Sequence, residues 1–198
     1  ASTKLYCSLF VQGLLSNEEL IVVVVGEDDE GFTPLFKACS SLNPINVQVY
    51  LQFLDVLCEK KILDEQHMIK LISSCSHRGD SIFQYALSRG KKEIFELVVV
   101  LAKRFLSNRI IGRLMFKKNK SGSNVLHSLM RYDDYNITEF RSLLENILTD
   151  SQYSVLLVAE NNEGVNPFRC ALTSKSEKTI GAYIEDVHMY LVKNMITP

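Results

Sequence analysis

A glycine-centred block that recurs four times constrains the fold of this chain more than any other feature. The four copies are centred on Gly31, Gly79, Gly122 and Gly164. Three residues before each glycine stands a turn-forming residue: Asp28, Ser76, Asn119 and Asn161. Two residues after it stands a helix-capping residue: Thr33, Ser81, Asn124 and Asn166. Because glycine permits the positive φ of a tight turn and a short polar side chain caps a helix, each copy predicts a turn followed by a helix.

Apolar residues follow each predicted cap at helical spacing. Four residues after the glycines stand Leu35, Phe83, Leu126 and Phe168, and seven residues after them stand Ala38, Ala86, Leu129 and Ala171. Positions three apart lie on one helix face. We therefore expect Ala38, Ala86 and Ala171 to be buried where the short helices of neighbouring copies meet.

The spacing of the copies leaves room for further structure between them. Successive glycines are 48, 43 and 42 residues apart. Eight and seven residues before each glycine stands an apolar pair: Val23 and Val24, Leu71 and Ile72, Leu114 and Met115, Leu156 and Leu157. These pairs predict a short helix or strand ahead of each turn, and the β-branched run over 20–25 fits either. The additional residues form either a longer second helix or a third helix in each copy.

The block resembles the ankyrin repeat, whose signature is a turn followed by T-P-L-H-x-A. Thr33, Pro34 and Leu35 match that signature, and the third copy retains the Leu-His pair as Leu126 and His127. The family's period of about 33 residues is shorter than the spacing here. The resemblance implies that His127 is a structural hydrogen-bonding residue between neighbouring turns.

The fold expected from the block and the resemblance is all-α. We predict one ankyrin-like helical-repeat solenoid over residues 1–198, with about four repeats whose frames begin near residues 28, 76, 119 and 161. Residues 1–26 form its N-terminal cap, with a capping helix over residues 4–15, because terminal units of a solenoid are atypical. We also expect the chain to be part of a longer protein.

Composition places the chain among ordinary globular proteins. Apolar residues make up 46% of it and the formal net charge is −1. No apolar run approaches the roughly 18 residues of a membrane span, so no membrane partner is predicted. The cysteines are odd in number and scattered, at Cys7, Cys39, Cys58, Cys75 and Cys170. That pattern favours reduced thiols and a cytoplasmic or nuclear location.

The sequence offers no recognisable chemistry, and we predict that the chain is not an enzyme and holds no metal or cofactor. Cys75 and His77 form the one close Cys/His pair, whereas metal sites usually need two such pairs. The nucleotide-binding, metalloprotease and hydrolase motifs are absent from the sequence. The acidic run over 27–30 lacks the alternating ligand spacing of a calcium-binding loop.

The leading functional hypothesis is a non-catalytic protein-interaction module or scaffold. The resemblance implies that its binding face comprises the turn tips and the outward side of each first helix. The sequence places these candidate partner-binding residues there: Lys37, His77, Arg78, Tyr85, Arg89, Lys117, Lys118, Lys120, Arg131 and Tyr132. Ser128 and Cys170 are expected on the same outward side.

The charges are unevenly distributed along the chain. Residues 89–120 carry a net charge of +8, residues 1–66 carry −6 and residues 121–198 carry −4. This basic band indicates an acidic protein surface or peptide as partner, with Lys117, Lys118 and Lys120 contributing. Phosphate or nucleic-acid binding through the band is the alternative, which the absence of interleaved aromatic residues does not favour. A regulatory region of a larger enzyme, such as a ubiquitin ligase, is a further alternative.

Overall fold

The computed structural model describes residues 15–89, 91–131, 136–174, 177–193 and 195–196. Over these ranges the regular secondary structure is α-helical, without a β-strand, so the predicted all-α class is confirmed. The capping helix predicted over residues 4–15 lies outside the described residues except for Leu15. Tyr132, one of the candidate partner-binding residues, also lies outside them.

Twelve helices in the described ranges fall into four units of three, each with a leading helix, a turn, a first helix and a second helix. The helices are α1 (Asn17–Val25), α2 (Pro34–Ser40), α3 (Pro44–Glu59), α4 (Glu65–Ser73), α5 (Ile82–Ser88), α6 (Lys92–Phe105), α7 (Asn108–Met115), α8 (Val125–Leu129), α9 (Ile137–Leu143), α10 (Asp150–Val158), α11 (Pro167–Ser174) and α12 (Glu177–Val192). The described chain is therefore repeated at the level of structure as well as sequence.

The additional residues in each unit form a third helix and not a longer second one. These leading helices are α1, α4, α7 and α10. Their N-cap residues stand fifteen positions before the four glycines: Ser16, Asp64, Ser107 and Thr149. The residue seven positions before each glycine is buried: Val24, Ile72, Met115 and Leu157. The apolar pairs thus mark a third helix in every unit, and the β-branched run over 20–25 is helical.

The four turns share one hydrogen-bond pattern. Each glycine has a positive φ between 68° and 78°, and its amide donates to the carbonyl three residues earlier. In the third turn, Asn119 Oδ1 also accepts from the amides of Ser121 and Ser123. The side-chain oxygens of Asp28, Ser76 and Asn161 accept equivalent pairs of bonds.

The first helices begin and pack largely as the sequence predicts. Thr33, Ser81, Asn124 and Asn166 each accept a backbone amide of the helix that follows. Ala86 and Ala171 are buried, but Ala38 is only half-buried. Ala38 borders an open groove on the first unit, so the prediction of full burial is wrong for this residue.

Close helix contacts connect elements of the same unit or of adjacent units. The first helices follow one another, with α2 against α5, α5 against α8 and α8 against α11. Second helices also meet, with α3 against α6 and α9 against α12, while Phe95 of α6 stacks on Phe140 of α9. One continuous apolar core therefore runs through the described units.

Candidate protein-interaction surface

Backbone hydrogen bonds join the tips of the second, third and fourth turns. The amide of Lys120 donates to the carbonyl of Arg78 at 2.9 Å. The amide of Asn162 donates to the carbonyl of Ser121, also at 2.9 Å. Asn162 Nδ2 also donates to the carbonyl of Lys120 at 3.1 Å. We call these neighbouring tip residues the tip row: Arg78, Lys120, Ser121, Asn162 and Glu163. Side chains on one tip are thereby held beside those on the next.

Buried side chains beneath the tip row tie each unit to the next. Gln84 Nε2 donates to the carbonyl of Ser123 at 2.6 Å, and His127 Nε2 lies 2.9 Å from the carbonyl of Val165. Gln84 and His127 both stand five residues after their glycines, and both acceptors stand one residue after the next glycine. The role that the ankyrin resemblance implied for His127 is therefore confirmed.

Burial shapes the protonation of His127. Its desolvation lowers the pKa below the ordinary value of 6.5, and the nearby Arg131 and Lys118 cations act in the same direction, while the hydrogen bond to Val165 opposes them. Because a carbonyl oxygen can only accept, Nε2 carries the proton that is donated to Val165. Nδ1 lies 3.2 Å from the amide of Asn124 and 2.7 Å from its Oδ1.

Aromatic rings replace these polar contacts between the first and second units. Phe32 stacks on Phe36 at 5.0 Å, and His77 meets the edge of Phe32 at 5.0 Å. Tyr85 lies 4.8 Å from Phe36, with the Arg89 guanidinium over its outer side. His77 and Arg89 are exposed, whereas Tyr85 is half-buried, so most of its ring is engaged within the fold.

The remaining candidate residues differ in how free they are to meet a partner. Lys37 is exposed but pairs with Asp28 at 3.0 Å and Glu30 at 2.6 Å in its own turn. Arg131 is exposed at the end of α8. Arg78 and Lys120 are exposed, and their backbones bond to each other. Among the exposed basic candidates, these two are therefore joined directly through their backbones.

Lys117 and Lys118 serve the fold through their ammonium groups. Lys117 Nζ donates to the carbonyl of Ser73 at 3.2 Å, at the C-terminal end of α4. Lys118 Nζ donates to the carbonyl of Glu160 at 3.1 Å. Cations favour the carbonyls at a helix C-terminus, so Lys117 stabilises the contact between consecutive units. The sequence hypothesis had grouped both residues with Lys120 as partner-binding cations only.

Other cations of the basic band face acids and carbonyls of neighbouring second helices. Arg104 of α6 pairs with Asp55 of α3 at 2.7 Å, and Lys92 of α6 pairs with Glu139 of α9 at 2.5 Å. Lys103 Nζ donates to the carbonyl of Leu143 at 2.6 Å. Part of the band's charge is thus matched within the fold, which leaves less of it for a long polyanion.

Two outward positions expected from the first-helix pattern are buried. Ser128 is 7% exposed and Cys170 is 3% exposed. Both stand six residues after their glycines, where the first two units carry exposed Lys37 and half-buried Tyr85. The third and fourth first helices contact each other, and serine and cysteine are smaller than the lysine and tyrosine of the first two units.

A buried polar cluster links the third and fourth units and was missed by sequence reasoning. Arg141 of α9 donates to Oδ1 of Asp186 on α12, and the Tyr153 hydroxyl donates to Oδ2 at 3.1 Å. Asp186 is 3% exposed. Burial raises its pKa, although the Arg141 guanidinium opposes that shift. Tyr153 and Arg141 stand 33 and 45 residues before Asp186 in sequence, so no local pattern predicts the cluster.

Neither a cluster of metal ligands nor a membrane-spanning helix is found among the described residues. Within the described ranges, no group of three or more His, Cys, Asp or Glu side chains is placed to hold a metal ion. None of the helices in the described part of the chain combines the length and apolar character needed to cross a bilayer.

Comparison with known proteins adds no assignment. No protein-family model matches the sequence. No curated protein matches it either.

Proposed function

We propose that this chain is a non-catalytic protein-interaction module, built as an ankyrin-like helical-repeat solenoid. The observation that carries the proposal is the direct bonding between Lys120 and Arg78 and between Asn162 and Ser121. A surface whose neighbouring tips are already locked together loses little conformational freedom on binding, which favours affinity. Solenoids use such extended surfaces to bind other macromolecules.

The partner expected at the tip row is a protein with an acidic surface or an acidic peptide. Arg78 and Lys120 are exposed cationic residues whose backbones are hydrogen-bonded to each other, and Arg is enriched in binding hot spots. Exposed charges of this kind act mainly on the association rate and on specificity, so binding should weaken as salt rises.

The setting that we propose is the cytoplasm or nucleus. Cys39, Cys58, Cys75 and Cys170 are all unpaired thiols. Free thiols in this number are typical of proteins kept in a reducing compartment.

Affinity capture with two matched charge-reversal variants tests the proposal. The first variant, Arg78→Glu with Lys120→Glu, alters the tip row. The second, Arg109→Glu with Arg113→Glu, makes the same charge change at exposed positions of α7 within the basic band. We expect the first variant to lose proteins that the wild type and the second variant retain. Loss by the second variant alone, together with tight binding of the wild type to generic DNA, would support the nucleic-acid alternative instead.

A further inference from the structure

An apolar groove of about 860 Å³ lies open on the first unit, between α1, the first turn and α3. Apolar side chains from all three elements line it, among them Val22, Phe32, Ile45, Val49 and Phe53. Val22 is 70% exposed and Ile45 is 65% exposed. Leaving apolar surface in water costs roughly 25 cal/mol per Å², so a groove of this kind is stabilised by whatever covers it.

Equivalent positions in the other units show that this surface is specific to the first. Ile45 stands fourteen residues after its glycine, where the later units carry Glu93, Asn136 and Lys178. Val22 stands nine residues before its glycine, where two later units carry Lys70 and Arg113 and the fourth carries Val155. Lys70 and Glu93 are exposed although the first unit packs on the second, so apolar residues at these positions indicate a contact beyond the one that a preceding unit makes.

The preceding unit covers the corresponding side of the second unit. There α4 contacts α1 and α2, α5 contacts α2, and α6 contacts α3. For the first unit, the described residues contain no helix that takes this covering place. The groove therefore marks the side against which an additional apolar element would pack.

We propose that residues 1–14 of this same chain occupy the groove. Their sequence carries Leu5, Leu9, Phe10, Val11 and Leu14, which supply apolar side chains for such a contact. They join directly to Leu15 and to the cap of α1, whose later residues line the groove. A short tether of this kind raises the effective concentration to the millimolar range, which favours this occupant over a free partner.

Charge and length agree with this occupant. Lys4 is the single charged side chain among residues 1–14. Glu27, Asp28 and Lys37 border the groove, and because Lys37 pairs with Asp28, Glu27 is the carboxylate that faces a cation of the segment. Even in a helical conformation, fourteen residues would extend about 21 Å, close to the roughly 24 Å of α3. The inference does not depend on the proposed function, because no residue of the tip row lines the groove.

Amide hydrogen exchange of the full chain, followed by mass spectrometry of its peptides, tests this inference. The test variant is Val22→Asp, and the matched control is Val155→Asp at the equivalent position of the fourth unit. Both valines are strongly exposed, so neither change should disturb folding, and circular dichroism checks this for each variant. A synthetic peptide of residues 1–14 gives the exchange rate without the groove, and Ile45→Asp provides a second groove variant.

We expect residues 1–14 of the wild type to exchange at least about tenfold more slowly than the synthetic peptide. Val22→Asp and Ile45→Asp should raise that rate towards the peptide's, while Val155→Asp leaves it unchanged. Exchange of the wild-type segment as fast as the peptide would overturn the inference. So would a concentration-dependent dimer that Val22→Asp dissociates, because a second copy would then be the occupant.

Discussion

His127 Nε2 lies 2.9 Å from the carbonyl oxygen of Val165, in the position that Gln84 occupies against Ser123 one unit earlier. Two different side chains thus make one contact between consecutive units. Each gives a second bond to a carbonyl that already accepts a backbone amide, from Asn119 at 3.0 Å and from Asn161 at 2.9 Å. A hydrogen bond of this kind contributes about 0.5–1.5 kcal/mol.

The first prediction concerns replacing His127 by glutamine, the residue at the equivalent position of the second unit. His127→Gln should change the free energy of unfolding by less than about 1 kcal/mol near neutral pH, because glutamine makes the equivalent bond in the second unit. His127→Ala should cost about 1–3 kcal/mol, because the buried amide of Asn124 also loses its acceptor on the ring. Urea unfolding of both variants checks this. Equal losses for the two would show that the bond to Val165 contributes little.

The same pair predicts a pH dependence. Burial lowers the pKa of folded His127 below 6.5, so the unfolded chain takes up the proton more readily. The stability that neutral His127 contributes is therefore complete above its unfolded pKa and is lost as pH falls towards the folded pKa. Between about pH 7.5 and about pH 5.5, the wild type should lose more stability than His127→Gln. Parallel losses in the two proteins would contradict this.

A second prediction compares two glycines with the same backbone conformation. Gly122 and Gly164 both have positive φ, but a Cβ at Gly122 would lie 2.3 Å from Asn162 Oδ1, whereas one at Gly164 meets nothing within 4 Å. Gly164→Ala should cost about 1–2 kcal/mol through backbone strain alone. Gly122→Ala should cost at least about 1 kcal/mol more, because it also displaces Asn162 from the tip row. Equal midpoints in denaturant would refute this difference.

The third prediction uses the buried alanine of the second unit. Ala86 is 1% exposed, so Ala86→Leu should destabilise the chain by about 1–3 kcal/mol through overpacking. Ala38 holds the same position in the first unit but borders the open groove. Ala38→Leu should therefore cost clearly less. Thermal unfolding of both variants measures the difference, and an unchanged midpoint for Ala86→Leu would contradict the described packing.

The fourth prediction addresses the polar cluster between the third and fourth units. Asp186→Ala leaves Arg141 and the Tyr153 hydroxyl without their shared acceptor, and we expect a loss of about 3 kcal/mol. Replacing all three residues by apolar ones, as Arg141→Met, Tyr153→Phe and Asp186→Leu, should restore much of that loss. Denaturant unfolding checks both variants. A triple variant less stable than Asp186→Ala would show that packing, and not the unpaired charge, dominates.

Local features of this fold were predictable because they depend on residues close in sequence. The turn at Gly31 and the cap at Thr33 follow from side chains within a few positions of each other. His127 could be assigned because the Leu-His pair resembles a known repeat. Gln84 carries no such signature, although its position after Gly79 is equivalent, and aligning the four copies would have found it.

Apart from the role of His127 and the burial of Ala86 and Ala171, features that depend on the neighbouring unit could not be predicted. The bond from the amide of Lys120 to the carbonyl of Arg78 joins backbone atoms, which no residue type encodes. The charge pattern marked Lys117 as basic but could not show that its ammonium lies on the carbonyl of Ser73. The burial of Ser128 and Cys170 likewise did not follow from the first-helix pattern, which placed both residues outward.

The central claim is that the tip row binds an acidic protein partner. The most direct test is the dissociation constant of a captured, purified partner, measured across a salt series for the wild type and the two charge-reversal variants. We predict that Arg78→Glu with Lys120→Glu weakens binding at least about tenfold at low salt, while Arg109→Glu with Arg113→Glu stays close to the wild type. Unchanged binding by the tip-row variant at low salt would contradict the claim.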